Sequence, residues 1–137
     1  FDLPNESTVR FDKNDKAYAL IRREAGDQMG VLAESNFPYN NWIYNKLDFR
    51  LGGPNFIFLN QQKLIIGTRM YGAVTSTGIL VTDLKGKVLN TIKLPGSGDT
   101  SYAGMLIYDG KLWVSYYSSH EGKTSIYLAR IPVAMLH

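Results

Sequence analysis

The sequence predicts an all-β fold, and two observations support that prediction. Stretches in which apolar and polar residues alternate recur along the 137 residues, and each stretch ends at turn-forming residues. No stretch keeps apolar residues at helical spacing for three turns. We therefore expect strands joined by turns along the chain.

The predicted strands fall into three groups in chain order. The first group lies near residues 8–11, 17–22, 29–34 and 42–49. The second lies near residues 55–59, 64–69, 78–83 and 87–93, and the third near 103–108, 112–117 and 124–131. The clearest hairpin turns at Asp109-Gly110, a pair that tolerates the positive φ of a two-residue turn, and another turns at Lys85-Gly86.

The three groups are copies of one repeat. Sliding the chain along itself aligns "KAYALIR", "KLIIGTR" and "KLWVSYY", so that Lys16, Lys63 and Lys111 follow one another at spacings of 47 and 48 residues. This period suits a four-stranded propeller blade. The sequence thus predicts one partial β-propeller domain over residues 1–137, with antiparallel blades at about 1–50, 51–98 and 99–137, the last with a weak or missing fourth strand.

A closed propeller needs more than three blades, since rings generally have about four to eight. Further sequence or a second copy of the chain would complete the ring. The chain begins with Phe1 and shows no charged and apolar leader of a signal peptide, so we expect an excised piece of a larger protein.

Composition excludes several classes of function. Hydrophobic residues make up 45% and charged residues 20% of the chain, and no window is long and apolar enough to predict a membrane span. The net charge of +3 comes from scattered basic residues, which argues against a nucleic-acid partner. There is no cysteine, and His120 and His137 would make a poor metal site, so neither metal nor cofactor is expected.

Four polar residues are predicted to meet at one end of the blades, which we call the rim. The first two strands of a blade are antiparallel, so the start of the first and the end of the second lie together. Glu6 and Tyr102 precede or begin first strands, and Arg22 and Arg69 end second strands. A few well-placed polar groups in a concave mouth are typical of a ligand site.

Three segments resemble the sialidase (neuraminidase) superfamily. "NESTVRFDKNDKAYALIRRE" is similar to the pattern in which a glutamate precedes a first strand and an arginine ends the next. "GTRMYGAVTSTG" is similar to the following arginine-bearing strand, and "GDTSYAGMLIYDGKLWVSYY" to the segment that carries the family's tyrosine. The resemblance covers nearly the whole chain and corresponds to the C-terminal half of such an enzyme.

The family's Asp-box, S-x-D-x-G-x-x-W, is degenerate in this chain. "SNFPYNNW" keeps Ser35 and Trp42 but has Phe37 and Tyr39 at the Asp and Gly positions. "TDLKGKVL" keeps a threonine and the glycine but has leucine at the Asp and Trp positions. The match is therefore firmer to the superfamily than to a true sialidase.

The resemblance implies a retaining glycoside hydrolase that acts on sialic acid or another acidic sugar. Tyr102 would be the nucleophile, Glu6 its base, and Arg22 and Arg69 the groups that bind the substrate carboxylate. The family's first arginine and its acid/base aspartate lie in preceding blades, so the chain alone is expected to be inactive. The resemblance also implies a secreted or periplasmic location.

Other interpretations remain open on the sequence alone. Tyr102 would also suit simple packing at the head of a strand, and Arg22 would also suit an exposed ion-pair ladder with its neighbours. Asp99 is typical of a turn, while Tyr71 or Tyr117 would suit the wall of a sugar pocket. For the whole protein, the alternative is a non-catalytic propeller that binds a glycan or a protein.

Overall fold

The computed structural model describes residues 3–137, and over those residues the chain is all-β, as predicted. The first two residues of the first predicted blade, Phe1 and Asp2, lie outside the described residues. The first strands are β1 (Pro4–Phe11), β2 (Ala17–Arg23), β3 (Met29–Ser35) and β4 (Ile43–Arg50). They are followed by β5 (Asn55–Phe58), β6 (Lys63–Met70), β7 (Ser76–Asp83), β8 (Val88–Lys93), β9 (Ser101–Tyr108), β10 (Lys111–Ser118) and β11 (Ser125–Pro132).

The strands form three antiparallel sheets in chain order, β1-β2-β3-β4, β5-β6-β7-β8 and β9-β10-β11. A 3₁₀ helix at Val133–Leu136 follows the third sheet and places the buried side chain of Leu136 in the core. No helix within residues 3–137 is long and apolar enough to cross a membrane.

The strand boundaries lie close to those predicted, with one instructive difference. β1 begins at Pro4, four residues before the predicted strand at residue 8. Its pairing with β2 shifts register between Pro4 and Ser7. Such an irregularity breaks the two-residue alternation on which the prediction depended.

The middle sheet is buried on both faces, which explains the unbroken apolar run of β6. Leu64 and Ile66 pack with Leu20 of the first sheet, whereas Ile65 packs with Leu112 of the third. Successive side chains of a strand point to opposite faces, so neighbouring residues serve two different cores. The three sheets are therefore stacked face to face through two hydrophobic layers.

Polar links hold the first strands of the sheets side by side. Arg10 Nε in β1 donates to the Phe56 carbonyl of β5 at 2.7 Å, and Asn55 Nδ2 in β5 donates to the Ala103 carbonyl of β9 at 2.9 Å. These bonds fix the relative positions of β1, β5 and β9. The polar residues at the ends of these strands are thereby brought to a common rim.

The outer faces of the first and third sheets remain apolar and open. In the third sheet Leu106, Ile126 and Leu128 are 63–79% exposed, and they lie on the face of the sheet opposite to its core. Val9 and Tyr44 are about half exposed in the first sheet. Apolar patches of this kind generally mark a contact surface.

Candidate functional site

The structure brings Glu6, Arg22 and Tyr102 into direct contact at the rim. The Tyr102 hydroxyl donates a hydrogen bond to Glu6 Oε1 at 2.8 Å, although the two residues are 96 positions apart. Arg22 Nη1 donates to the same oxygen, also at 2.8 Å. One carboxylate oxygen thus joins a phenol from β9 to a guanidinium from β2.

Arg22 is held from two sides by carboxylates. Its Nε lies 2.6 Å from Glu24 Oε1, and its side chain is only 13% exposed. Burial lowers the pKa of Arg22, but the charges of Glu6 and Glu24 outweigh burial, and the pKa lies above its ordinary value. The guanidinium is therefore permanently charged and fixed in orientation.

The neighbouring Arg23 belongs to a different cluster. Its Nη1 donates to Asp27 Oδ1 and to the Met29 carbonyl, both at 2.9 Å, and Arg23 is buried. Consecutive residues of a strand point to opposite faces, which separates Arg23 from the rim.

Tyr102 is presented by unusual backbone geometry. Ser101 has φ of 120° and Tyr102 has φ of 52°, values that are uncommon for residues with a side chain. A Cβ placed on Gly53 would lie 2.9 Å from the Tyr102 ring and 3.0 Å from its backbone nitrogen. Glycine at position 53 thus allows the chain before β5 to pack closely against Tyr102. Tyr102 itself remains 53% exposed.

The electrostatics keep Tyr102 in its neutral form. The hydrogen bond to Glu6 is the largest cause that raises the pKa of Tyr102, followed by burial and the charge of Glu6. The charges of Arg22 and Arg69 lower it, but by less. At neutral pH the residue is a phenol that donates to Glu6, so it can act as a nucleophile only if Glu6 accepts its proton.

Arg69 reaches the same rim from β6 but has different partners. Its backbone nitrogen donates to the Gly52 carbonyl at 2.8 Å, its Nε donates to the Thr100 carbonyl at 2.9 Å, and its Nη2 lies 3.3 Å from Asp99 Oδ1. Burial lowers the pKa of Arg69, but Tyr71, Tyr117 and Asp99 outweigh it and the pKa is raised.

From the sequence alone Asp99 is expected in a turn and Tyr117 in the wall of a sugar pocket, but the structure places both in the rim. The Tyr117 hydroxyl donates to Asp99 Oδ1 at 2.6 Å, and its ring stacks on Tyr102 with centroids 6.0 Å apart and planes 16° from parallel. The strand pattern could have identified Tyr117 as a rim residue. It lies near the end of the second strand of its sheet, as Arg22 and Arg69 do in theirs.

A cleft of about 580 Å³ lies beside the rim, between the first and second sheets. Tyr71 is part of its wall, and the Arg50 guanidinium stacks on the Tyr71 ring at 4.1 Å from the centroid. A Cβ on Gly52 would clash with the Tyr71 hydroxyl, so Tyr71 also touches the segment that supports Arg69. Arg69 also lines the cleft, so the cleft and the rim share this arginine.

The rim is suited to organic anions and hydroxylated ligands. Two guanidinium groups, two stacked phenols and the carboxylates of Glu6 and Asp99 lie within one network. Over residues 3–137, no three His, Asp or Glu side chains are grouped in a way that could hold a metal ion.

Comparisons with known proteins bear on the fold alone. No protein-family model matches the chain, and no curated protein matches it. The chain is similar to the crystal structure of a protein of unknown function from Dyadobacter fermentans DSM 18053, with a TM-score of 0.80 and 15% sequence identity. The likeness covers 94% of this chain and 38% of that one, so the chain spans well under half of that protein's length.

Proposed function

We propose that the chain is the C-terminal part of a sialidase-like β-propeller whose rim binds sialic acid or another acidic sugar. In the complete propeller the activity would be that of a retaining glycoside hydrolase. The observation that carries the proposal is the shared Glu6 oxygen, which accepts from the Tyr102 phenol and from Arg22 at 2.8 Å each. The proposed nucleophile, its proposed base and a proposed anion-binding group are thus in contact.

Two features support the propeller. The three sheets follow one another in the chain and stack face to face, with β1, β5 and β9 side by side. The open apolar faces of the first and third sheets are suited to cover by further sheets of the same kind. We infer that additional blades, or a second copy of the chain, occupy these faces.

The proposed reaction begins at Tyr102. Its oxygen forms a bond to the anomeric carbon as Glu6 accepts the phenolic proton and the glycosidic bond breaks. The leaving oxygen takes a proton from the acid that the sialidase resemblance places in preceding blades. Water then attacks the anomeric carbon and loses a proton to the conjugate base of that acid, while the bond to the tyrosine oxygen breaks and Glu6 returns its proton to Tyr102.

A tyrosine suits this substrate class for an electrostatic reason. Sialic acid has a carboxylate on the anomeric carbon, which would repel a carboxylate nucleophile, whereas the Tyr102 phenol approaches as a neutral group. Arg22 and Arg69 would bind the substrate carboxylate, because a guanidinium stays charged and offers paired donors. Lysine at either position would not be a conservative replacement.

The second candidate is a propeller that binds a glycan without cleaving it. The exposed Tyr102 ring, stacked on Tyr117, favours this candidate, since paired aromatic rings offer a flat surface on which a sugar can pack. The Glu6 and Arg22 pair would then serve only to orient the hydroxyl of Tyr102.

Hydrolysis of a glycoside panel distinguishes the two candidates. Fluorogenic sialosides, other acidic glycosides and neutral glycosides are offered to the propeller-length protein, with the 137-residue chain as control. We expect cleavage of acidic glycosides by the longer protein alone. Binding of an acidic sugar with no cleavage of any glycoside would favour the second candidate, and cleavage of neutral glycosides alone would contradict both.

A further inference from the structure

We propose that Asp99 determines ligand specificity by restricting the rim to acidic sugars that carry a single negative charge. Such a ligand would have hydroxyl donors beside its carboxylate, rather than a sulfate or phosphate ester. The inference rests on the proposed function and adds to it a specificity-determining residue and a limit on the charge of the ligand.

Asp99 is built into the rim by three contacts of its own and one of the next residue. Its Oδ1 accepts from the Tyr117 hydroxyl at 2.6 Å and lies 3.3 Å from Arg69 Nη2. The Ser119 hydroxyl donates to the Asp99 carbonyl at 3.3 Å, and the next residue, Thr100, accepts from Arg69 Nε through its carbonyl. The carboxylate nevertheless has a side-chain exposure of 72%, so a ligand can reach it.

Both rim arginines are already paired with carboxylates before any ligand binds. Arg22 contacts Glu6 and Glu24, and Arg69 contacts Asp99. A ligand carboxylate placed on Arg69 would therefore lie within a few ångströms of a second negative group. The Arg69 guanidinium attracts one added charge, whereas a second charge on the same ligand would be repelled by Asp99.

Asp99 also offers a hydrogen-bond acceptor to a ligand hydroxyl. Both of its side-chain contacts within the described residues use Oδ1. Oδ2 therefore remains able to accept from a sugar hydroxyl, and a hydrogen bond to an ionised acceptor is stronger than one between neutral groups. The same carboxylate thus favours a hydroxyl and disfavours a second anion.

Two substitutions separate the charge of Asp99 from its structural role. In Asp99→Asn the amide oxygen still accepts from Arg69 and Tyr117, while the charge is lost and the second oxygen becomes an NH2 group that no longer accepts. The lost acceptor affects sulfated and unsulfated sugars alike, so a change in the ratio of their affinities reports the charge. In Asp99→Ala the contacts to both side chains are lost as well. Asp83→Asn is the matched control, because Asp83 lies at the opposite end of the middle sheet, where its Oδ1 accepts from the backbone of Lys85 and Lys87.

The test is calorimetric titration of each variant with sialic acid and with a sialic acid that carries one sulfate ester. We expect the wild-type protein and Asp83→Asn to bind the unsulfated sugar at least roughly tenfold more tightly, and Asp99→Asn to reduce that ratio to about twofold or less. Asp99→Ala should weaken the binding of both sugars.

The outcomes separate this inference from the proposed function. An unchanged ratio in Asp99→Asn, or tighter binding of the sulfated sugar by the wild-type protein, would overturn the role of Asp99 and leave the proposed function intact. Failure of the wild-type protein to bind either sugar would overturn the proposed function and this inference together.

Discussion

At the scale of single residues, the rim depends on one close backbone contact. Gly53 has φ of 54° and lies against both the ring and the backbone nitrogen of Tyr102. Gly110 has a similar φ of 70° in the β9–β10 turn, but no atom lies within 4 Å of the Cβ it would carry. The two glycines therefore separate the cost of positive φ from the cost of a clash.

We predict that Gly53→Ala is more destabilising than Gly110→Ala and also displaces Tyr102. Positive φ alone should cost about 1 kcal/mol in either variant, and the contact with Tyr102 should add roughly 1–2 kcal/mol at position 53. Urea unfolding measures the free energies, and the NMR signals of Tyr102 report its displacement. Equal losses of unfolding free energy in the two variants would contradict the prediction, because they would show that the contact at Gly53 is easily relieved.

The rim also shows which residues local patterns can reveal. Glu6, Arg22 and Arg69 were identified because hairpin geometry places strand starts and strand ends together. The structure joins Arg22 to Tyr102 through Glu6, whereas Arg69 is linked to Tyr102 through Tyr117. The positive φ of Tyr102 arises in a contact between distant segments, which no local pattern encodes.

At the scale of elements, the turn between β2 and β3 acts as a clamp on three strands. Asp27 in this turn accepts from Arg23 of β2 and from the backbone nitrogen of Met29 in β3, and it forms an ion pair with Lys46 of β4. The hydrogen bond from Lys46, followed by that from the Met29 nitrogen, lowers the pKa of Asp27 from 3.8 to about 2.

We predict that this clamp gives the protein a specific sensitivity to acid. Because folding depresses the pKa of Asp27, the carboxylate contributes stability above about pH 4, and the contribution is lost as the pH falls toward 2. Asp27→Asn should therefore be less stable than wild type at pH 6, with the difference shrinking between pH 4 and pH 2. Lys46→Met should show the same trend.

Thermal unfolding of the three proteins between pH 6 and pH 2 measures this effect. A difference between wild type and Asp27→Asn that stays constant over the whole range would contradict it.

The strands themselves were predictable because their signals are local. Alternation, Gly86 and Gly110 mark the hairpins, and the repeat fixes which strands belong together. The early start of β1 and the 3₁₀ helix after β11 were not predicted. Both depend on irregular pairing or on packing against a distant core, and neither has a repeating pattern.

At the scale of the whole molecule, the open faces of the first and third sheets are its most consequential feature. Ile126 is 79% and Leu128 is 65% exposed on the outer face of the third sheet. A monomer would leave these faces in water, which favours association of apolar surfaces. The chain alone should therefore associate with itself.

We predict that Ile126→Lys combined with Leu128→Lys makes the 137-residue chain monomeric without altering its strand content. Two charges on the outer face oppose its contact with another apolar surface. Leu89→Lys is the control, because Leu89 is 49% exposed on β8 at the edge of the middle sheet, away from the outer face of the third sheet. Light scattering measures the mass of each protein, and circular dichroism measures strand content. A wild-type chain that is already monomeric would contradict the prediction.

The most direct test of the central claim is turnover of a fluorogenic sialoside by the propeller-length protein and by its Tyr102→Phe variant. Tyr108→Phe is the matched control, since Tyr108 is exposed at the other end of the same strand. We predict that Tyr102→Phe lowers turnover by roughly a thousandfold or more while sialic acid still binds, and that Tyr108→Phe has no effect. Turnover that persists in Tyr102→Phe would show that this tyrosine is not the nucleophile, and absence of turnover in the wild-type protein would contradict the hydrolase itself.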